Sequence, residues 1–192
     1  MSHQTPSQTL GPFFAFGLAA RQYDYPGAQI FDGDLVGDPI PGARIRIIGR
    51  VFDGGGQPIP DALVEIWQAD AAGRYVQPGG SNLGFRGFGR LGTGVDPENR
   101  FLFRTVKPGA IDVVQAPHVN VILSMRGLLS HVYTRIYFGD EVEANARDRV
   151  LASVPPERRH TLIAPHESEA DETIYRFDIR MQGENETVFF DV

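Results

Sequence analysis

Apolar residues recur at every second position in several short stretches of this chain. From Arg44 to Asp53, Ile45, Ile47 and Val51 alternate with other residues, and the turn-forming run GGGQPIP separates this stretch from a second one, ALVEIWQ. A period of two is typical of strands that bury one face. Similar stretches, most of them rich in β-branched or aromatic residues, lie at 101–106, 118–125, 131–138, 173–182 and 187–192. Together these seven strands predict a mainly β fold, a β-sandwich.

The regions outside these strands predict one short helix and an arm. Val142, Ala146 and Val150 are four residues apart, Asp140 could cap the helix, and Pro-Pro follows it. Residues 1–43 are rich in Gly, Pro and aromatic residues without periodicity, so we expect an N-terminal arm that lies against the sandwich of residues 44–192 as part of the same unit. Residues 78–94 include seven glycines and predict a folded loop.

Composition narrows the classes of function. The 14 prolines and 22 glycines follow no fixed period, which suits a β fold with many turns. A net charge of -6 argues against a nucleic-acid partner, because phosphate binding requires a basic surface. The chain has no cysteine, which fits a cytoplasmic location, and no stretch is apolar enough for a signal peptide or a membrane span. We therefore expect a cytoplasmic protein without a membrane partner.

Polar residues within the predicted strands are the candidates for chemistry. His118 and Asn120 flank Val119, so their side chains share one face of a strand. A histidine pair there would resemble half a metal site, but a single histidine is more often a structural group. A second polar face alternates with apolar residues along the next strand and fits a cavity, a subunit interface or a solvent-facing surface: His131, Tyr133, Arg135 and Tyr137.

The longest recognisable motif runs from Ile47 to Tyr75, IIGRVFDGGGQPIPDALVEIWQADAAGRY. It resembles the signature of the intradiol ring-cleaving dioxygenases. The resemblance continues through FRTVKPG, APHVNV, HVYTRIYF and the C-terminal YRFDIRMQGENETVFFDV, and so covers essentially the whole chain. It implies a β-sandwich of the intradiol dioxygenase type and oxidative cleavage of an aromatic ring. The matching signature positions are Gly49, Gly56, Glu65, Gly73 and Tyr75.

The positions that bind metal in this family differ here. The catalytic subunits hold ferric iron with two tyrosines and two histidines, one tyrosine following a KPG-like turn. This chain has Ala110 and Ile111 after that turn, and Asn120 in place of the second histidine. Gln115 stands where the family has its catalytic arginine. Because ferric iron requires anionic oxygen donors, which Ile and Asn cannot supply, the resemblance implies no metal ligand and no catalytic residue within this chain.

Both ends of the chain, TPSQTLGPFF and QGENETVFF, are similar to the alpha subunits of family members built from two kinds of subunit. The resemblance implies that Fe3+ is bound by a beta subunit, whose active site this chain completes. The assembly would use O2 to cleave 3,4-dihydroxybenzoate between its hydroxyls, giving 3-carboxy-cis,cis-muconate. The number of alpha-beta pairs stays open.

The same resemblance implies four substrate-binding residues. Thr9, Gly11 and Pro12 of the arm would form part of the wall of the beta active site, where a glycine and a rigid proline suit close approach to a planar ring. Arg126 would attract the substrate carboxylate, although a solvated turn charge is its other interpretation.

Two alternatives remain. A binding module could use Trp67 and Tyr75 as a stacking platform. An independent dioxygenase could use His118 with Tyr133 or Tyr75 as an altered ligand set. His118, Gln115 and Arg135 lie at positions that resemble the family's catalytic site. Whether this group binds a ligand also stays open.

Overall fold

A computed structural model of the chain describes residues 11, 13–26, 30–37, 39–76, 84–169 and 172–191. Within these ranges most regular structure is β, and it forms two sheets packed face to face. The strands are β1 (Arg44–Phe52), β2 (Leu63–Gln68), β3 (Phe88–Gly92), β4 (Arg100–Val106), β5 (His118–Ser124), β6 (Val132–Phe138), β7 (Ile163–Ala164), β8 (His166–Glu169), β9 (Glu172–Arg176) and β10 (Ile179–Arg180). The predicted β-sandwich is therefore confirmed.

The first sheet is organised around β1. Strand β4 pairs with β1 antiparallel, β9 and β10 pair with it parallel, and β8 pairs with β9 antiparallel. The second sheet has the strand order β3-β2-β5-β6-β7. No helix within the described ranges is long and apolar enough to cross a membrane.

The core lies between the two sheets and follows the predicted alternation. Ile45, Ile47 and Val51 of β1 are at most 3% exposed. They belong to one buried cluster with Val64 and Ile66 of β2 and with side chains of β5. Burying one such side chain contributes roughly 1.5–3 kcal/mol. The opposite faces of the strands are left free to carry polar groups.

The predicted single helix of the 140–154 region is wrong, because the structure has two helices there. Helix α2 (Val142–Arg147) ends at Asp148, whose extended backbone separates it from α3 (Arg149–Ser153). Helix α1 (Phe14–Leu18) lies in the arm. Asp140 does not cap α2 but accepts hydrogen bonds from Lys107 Nζ at 2.6 Å and from the Tyr175 hydroxyl at 3.0 Å.

Three predicted boundaries also differ from the structure. Strand β3 forms within the predicted 78–94 loop, of which residues 78–83 lie outside the described ranges. The predicted 173–182 strand is interrupted at Phe177, where the Phe177 N–H donates to the Ile48 carbonyl. Residues 187–191 make only an isolated β-bridge through Phe190, because the Thr134 hydroxyl donates to the carbonyl of Val188 instead.

Candidate functional site

The outer face of the second sheet carries the candidate site residues. His118, Asn120, Ile122 and Ser124 of β5 point away from the core, since Val119, Val121 and Leu123 between them are buried in it. The six steps from His118 to Ser124 along β5 separate the two ends of this face by roughly 20 Å. We call the group around His118 the histidine cluster and the group around Arg126 the arm-end cluster.

Helix α1 packs at the arm end of this face. Ala15 and Ala19 form a small buried cluster with Leu63 of β2. Leu63 lies opposite Ser124 in the antiparallel register, and Arg126 follows two residues later. The Phe14 N–H donates to the Gly11 carbonyl at 3.3 Å. The structure thus brings the described start of the arm to the same end of the sheet as Arg126.

Tyr23 and Gln22, which follow α1, fasten the arm to β3. The Gln22 side chain donates to the Gly92 carbonyl at 2.6 Å and accepts from the Gly92 N–H at 2.8 Å. Burial raises the pKa of the Tyr23 hydroxyl, a backbone hydrogen bond from Gly94 opposes this, and the negative charge of Asp61 raises it further. Asp61 is therefore electrostatically coupled to the arm.

Arg126 forms an ion pair with Asp61 through its Nε. Its side chain is 57% exposed, and that of Asp61 is 23% exposed. Gly11 is also exposed, whereas Thr9 and Pro12 lie outside the described residues. Sequence reasoning missed Asp61, because the pairing of β2 with β5 brings it to Arg126 across 65 positions of sequence.

The histidine cluster begins with a buried imidazole. His118 is 3% exposed, and its Nδ1 lies 2.8 Å from the Ala116 carbonyl, so Nδ1 carries the donated proton. Its Nε2 is buried without a hydrogen-bond partner among the described residues. Desolvation lowers the pKa of His118, and the positive charge of Arg135 adds to this effect. The imidazole is therefore held neutral.

Asp148 joins the histidine cluster to the helices. One carboxylate oxygen accepts from the Leu151 N–H at 2.7 Å and from the Tyr137 hydroxyl at 3.0 Å. The other accepts from the Ala116 N–H at 2.8 Å, next to the carbonyl that binds His118. Asp148 is fully buried. The sequence did not single out Asp148, because the single helix predicted for this region passed through that position without a break.

Arg135 and Gln115, both singled out from the sequence, do meet in this cluster. Arg135 Nη1 donates to Gln115 Oε1 at 3.3 Å and approaches the Tyr137 hydroxyl at 3.5 Å. The Gln115 amide in turn donates to Asp112 at 3.0 Å. Contacts within the chain thus engage both side chains.

Asn120 connects the histidine cluster to two aromatic rings. Its amide nitrogen donates to the Tyr75 hydroxyl at 3.0 Å and to the Trp67 carbonyl at 3.3 Å. The rings of Trp67 and Tyr75 lie 4.5 Å apart. The two rings that the binding-module alternative requires are therefore adjacent, but their planes are tilted by 40° and Asn120 contacts both residues.

The donors around His118 do not fit a ferric iron centre. Asn120 presents an amide N–H to Tyr75, and an amide nitrogen has no lone pair available for a metal. Tyr133 lies opposite Ile122, whereas His118 lies opposite Tyr137, so Tyr133 and His118 are about 13 Å apart along the sheet. Nowhere in the described ranges do three or more His, Asp or Glu side chains form a group able to hold a metal.

The buried imidazole predicts a pH-dependent stability. Because the folded-state pKa of His118 is lowered, the unfolded chain takes up a proton below about pH 6.5 that the folded chain does not. The stabilisation is present above that pH and is lost as the pH falls. We expect the fall in the free energy of unfolding below about pH 6.5 to be smaller in His118→Asn, measured by denaturant unfolding. An unchanged pH slope in His118→Asn would contradict the assignment.

Comparison with known proteins identifies the family. Residues 28–183 match the Dioxygenase family. The protocatechuate 3,4-dioxygenase alpha chain of Burkholderia cepacia is 48% identical over 192 residues, which cover 98% of this chain and 98% of that one. The beta chain from the same organism is 36% identical over 167 residues, covering 79% of this chain and 69% of the beta chain.

Solved structures agree on the fold. An intradiol ring-cleavage dioxygenase from Tetranychus urticae superimposes with a TM-score of 0.61 at 16% identity, covering 97% of this chain and 100% of that one. At 16% identity this structural similarity supports a shared fold only. The fold and the full-length match to an alpha chain agree, and they decide against a binding module unrelated to dioxygenases. This chain belongs to the intradiol dioxygenase family, among the protocatechuate 3,4-dioxygenase alpha chains.

Proposed function

We propose that this chain is the subunit of a protocatechuate 3,4-dioxygenase that binds no iron and completes the active site of a beta subunit. The assembly cleaves 3,4-dihydroxybenzoate with O2 between the hydroxyls, and Fe3+ is held by the beta subunit. The observation that carries this proposal is Asn120, whose amide donates to Tyr75 at a position where a metal centre requires a ligand. The homologous beta chain supplies the kind of partner that the proposal requires.

The contribution of this chain comes from the arm end of the second sheet. Helix α1, which is part of the described arm, and Arg126 lie at that end, whereas the histidine cluster lies at the other. Thr9, Gly11 and Pro12 would shape the wall around the ring, and the Arg126 guanidinium would attract the substrate carboxylate. No step of the reaction takes place on this chain. The absence of cysteine fits our placement of the assembly in the cytoplasm.

Expression of this chain alone and together with its beta partner tests the proposal. The lone chain is expected to bind no iron and to show no O2 uptake with 3,4-dihydroxybenzoate, whereas the co-expressed pair shows both. Iron is measured by metal analysis of the purified protein, and uptake is measured with an oxygen electrode. Iron and turnover in the lone chain would favour the alternative of an independent dioxygenase.

Tyr75→Phe provides a matched control in the co-expressed pair. This substitution removes only the phenol oxygen that an altered ligand set would need. If iron is held by the beta subunit, the iron content of the pair stays the same. A loss of one iron per pair would place a metal ligand on this chain and overturn the proposal.

A further inference from the structure

The backbone around Arg126 does little to restrict the orientation of its side chain. It lies in the connection between β5 and β6, before Gly127, whose φ of 90° gives the turn a conformation that suits glycine. Its side chain is 57% exposed. A long exposed arginine loses conformational entropy when it is fixed in one orientation, and this loss opposes binding. Unless another residue already orients Arg126, this entropy is lost each time a substrate binds.

Asp61 provides the tether. Its carboxylate accepts from Arg126 Nε, which is the donor nearest the backbone. Within the described part of the chain, no hydrogen bond engages the two terminal nitrogens, Nη1 and Nη2, of Arg126. These two groups form the edge that matches the two oxygens of a carboxylate. The contact with Asp61 thus orients the guanidinium and leaves its binding edge available.

The position of Asp61 is itself fixed by its neighbours. Ala62 is fully buried, and its N–H donates to the Thr93 hydroxyl at 3.2 Å. That hydroxyl donates to the Ile59 carbonyl at 2.7 Å, and the Thr93 N–H donates to the Ala62 carbonyl at 2.9 Å. Thr93 is also fully buried. The backbone on either side of Asp61 is therefore anchored, so the carboxylate can hold Arg126 in place.

We infer that Asp61 is a positioning residue, which holds Arg126 in the orientation that receives the carboxylate of an aromatic acid. This inference rests on the substrate-binding role proposed above for Arg126. Because Asp61 also raises the pKa of Tyr23 through its charge, the same carboxylate links the arginine to the arm that would form the active-site wall. Asp61 does not contact the substrate; it acts through Arg126.

The test uses the assembled enzyme carrying Asp61→Ala, Asp61→Asn or Arg126→Ala. Arg126→Ala is expected to raise KM for 3,4-dihydroxybenzoate about tenfold with little change in kcat, since the lost attraction acts on the bound substrate and the transition state alike. Asp61→Ala is expected to raise KM about three- to fivefold through loss of the tether. Asp61→Asn keeps an oxygen acceptor for Nε and should retain most of the affinity.

Two further measurements separate positioning from a general structural effect. Catechol lacks the carboxylate, so its inhibition constant should be the same in all three variants. In the double variant Asp61→Ala with Arg126→Ala, KM should equal that of Arg126→Ala alone, because a tether has no effect once the arginine is absent. Asp34→Ala, which breaks an exposed aspartate–arginine pair with Arg104 on the first sheet, is the matched control and should leave KM unchanged.

The outcomes distinguish failure of the inference from failure of the proposed function. If Arg126→Ala raises KM but Asp61→Ala does not, Arg126 binds substrate and Asp61 does not position it. A fall in KM in Asp61→Ala would also overturn the inference, because Asp61 would then compete with the substrate for Arg126. Unchanged kinetics in Arg126→Ala would remove the substrate-binding role itself.

Discussion

Replacing Asp148 by alanine is expected to lower the free energy of unfolding by about 3–5 kcal/mol. The substitution leaves three buried donors without an acceptor: the N–H groups of Ala116 and Leu151 and the hydroxyl of Tyr137. It also removes the side chain that begins α3. Denaturant unfolding followed by circular dichroism measures the change.

Asp53→Ala is the matched control for Asp148. The Asp53 carboxylate also accepts two backbone N–H groups, from Gly55 and Gln57, but in an exposed turn. Water can replace those contacts, so the expected loss is about 1 kcal/mol or less. Equal losses for the two substitutions would show that the burial of Asp148 does not determine its contribution.

Gly49→Ala is expected to destabilise the fold by more than about 3 kcal/mol. A methyl group at Gly49 would overlap the Phe177 carbonyl oxygen and lie 2.7 Å from Cζ of Phe101. Gly49 lies beside the interruption between β9 and β10, where the Phe177 N–H donates to the Ile48 carbonyl. Both neighbours are buried core residues, so neither can move without breaking the sandwich. The melting temperature and the yield of folded protein are the measurements.

Gly17→Ala is the control for this substitution. A methyl group at Gly17 meets no atom within 4 Å, and Gly17 lies within α1, where alanine is the better helix former. A neutral or slightly stabilising effect, up to about 1 kcal/mol, is expected. If Gly49→Ala were tolerated equally well, Phe177 would have to be more mobile than its packing implies.

The family signature can be explained by contacts in the structure. Gly73 has a φ of 76°, and its Cα faces the carbonyl of Ala110, which leaves no room for a side chain. Glu65 pairs with Arg90 across β2 and β3 at 2.5 Å. Gly49 provides space for Phe177. These three signature positions therefore support the backbone and the packing of the strands.

The predictable parts of the site were those that depend on spacing within one strand. His118 and Asn120 share a face because they are two positions apart in a strand, and that face is the one found in the structure. The partners of these residues could not be predicted in the same way. Asp61 reaches Arg126 across 65 positions and Asp148 reaches Ala116 across 32, and neither pair shares a local pattern.

The sequence by itself determined the sandwich and the residue types of the candidate site. The alternation of apolar and polar residues along β1, β5 and β6 sets which side chains enter the core. This follows because successive side chains of a strand point to opposite faces of the sheet. Only the tertiary structure decided where the helix breaks, which side chain satisfies each buried donor and what holds Arg126. Those contacts join segments far apart in the chain, and they form only when the packing of the two sheets brings the segments together.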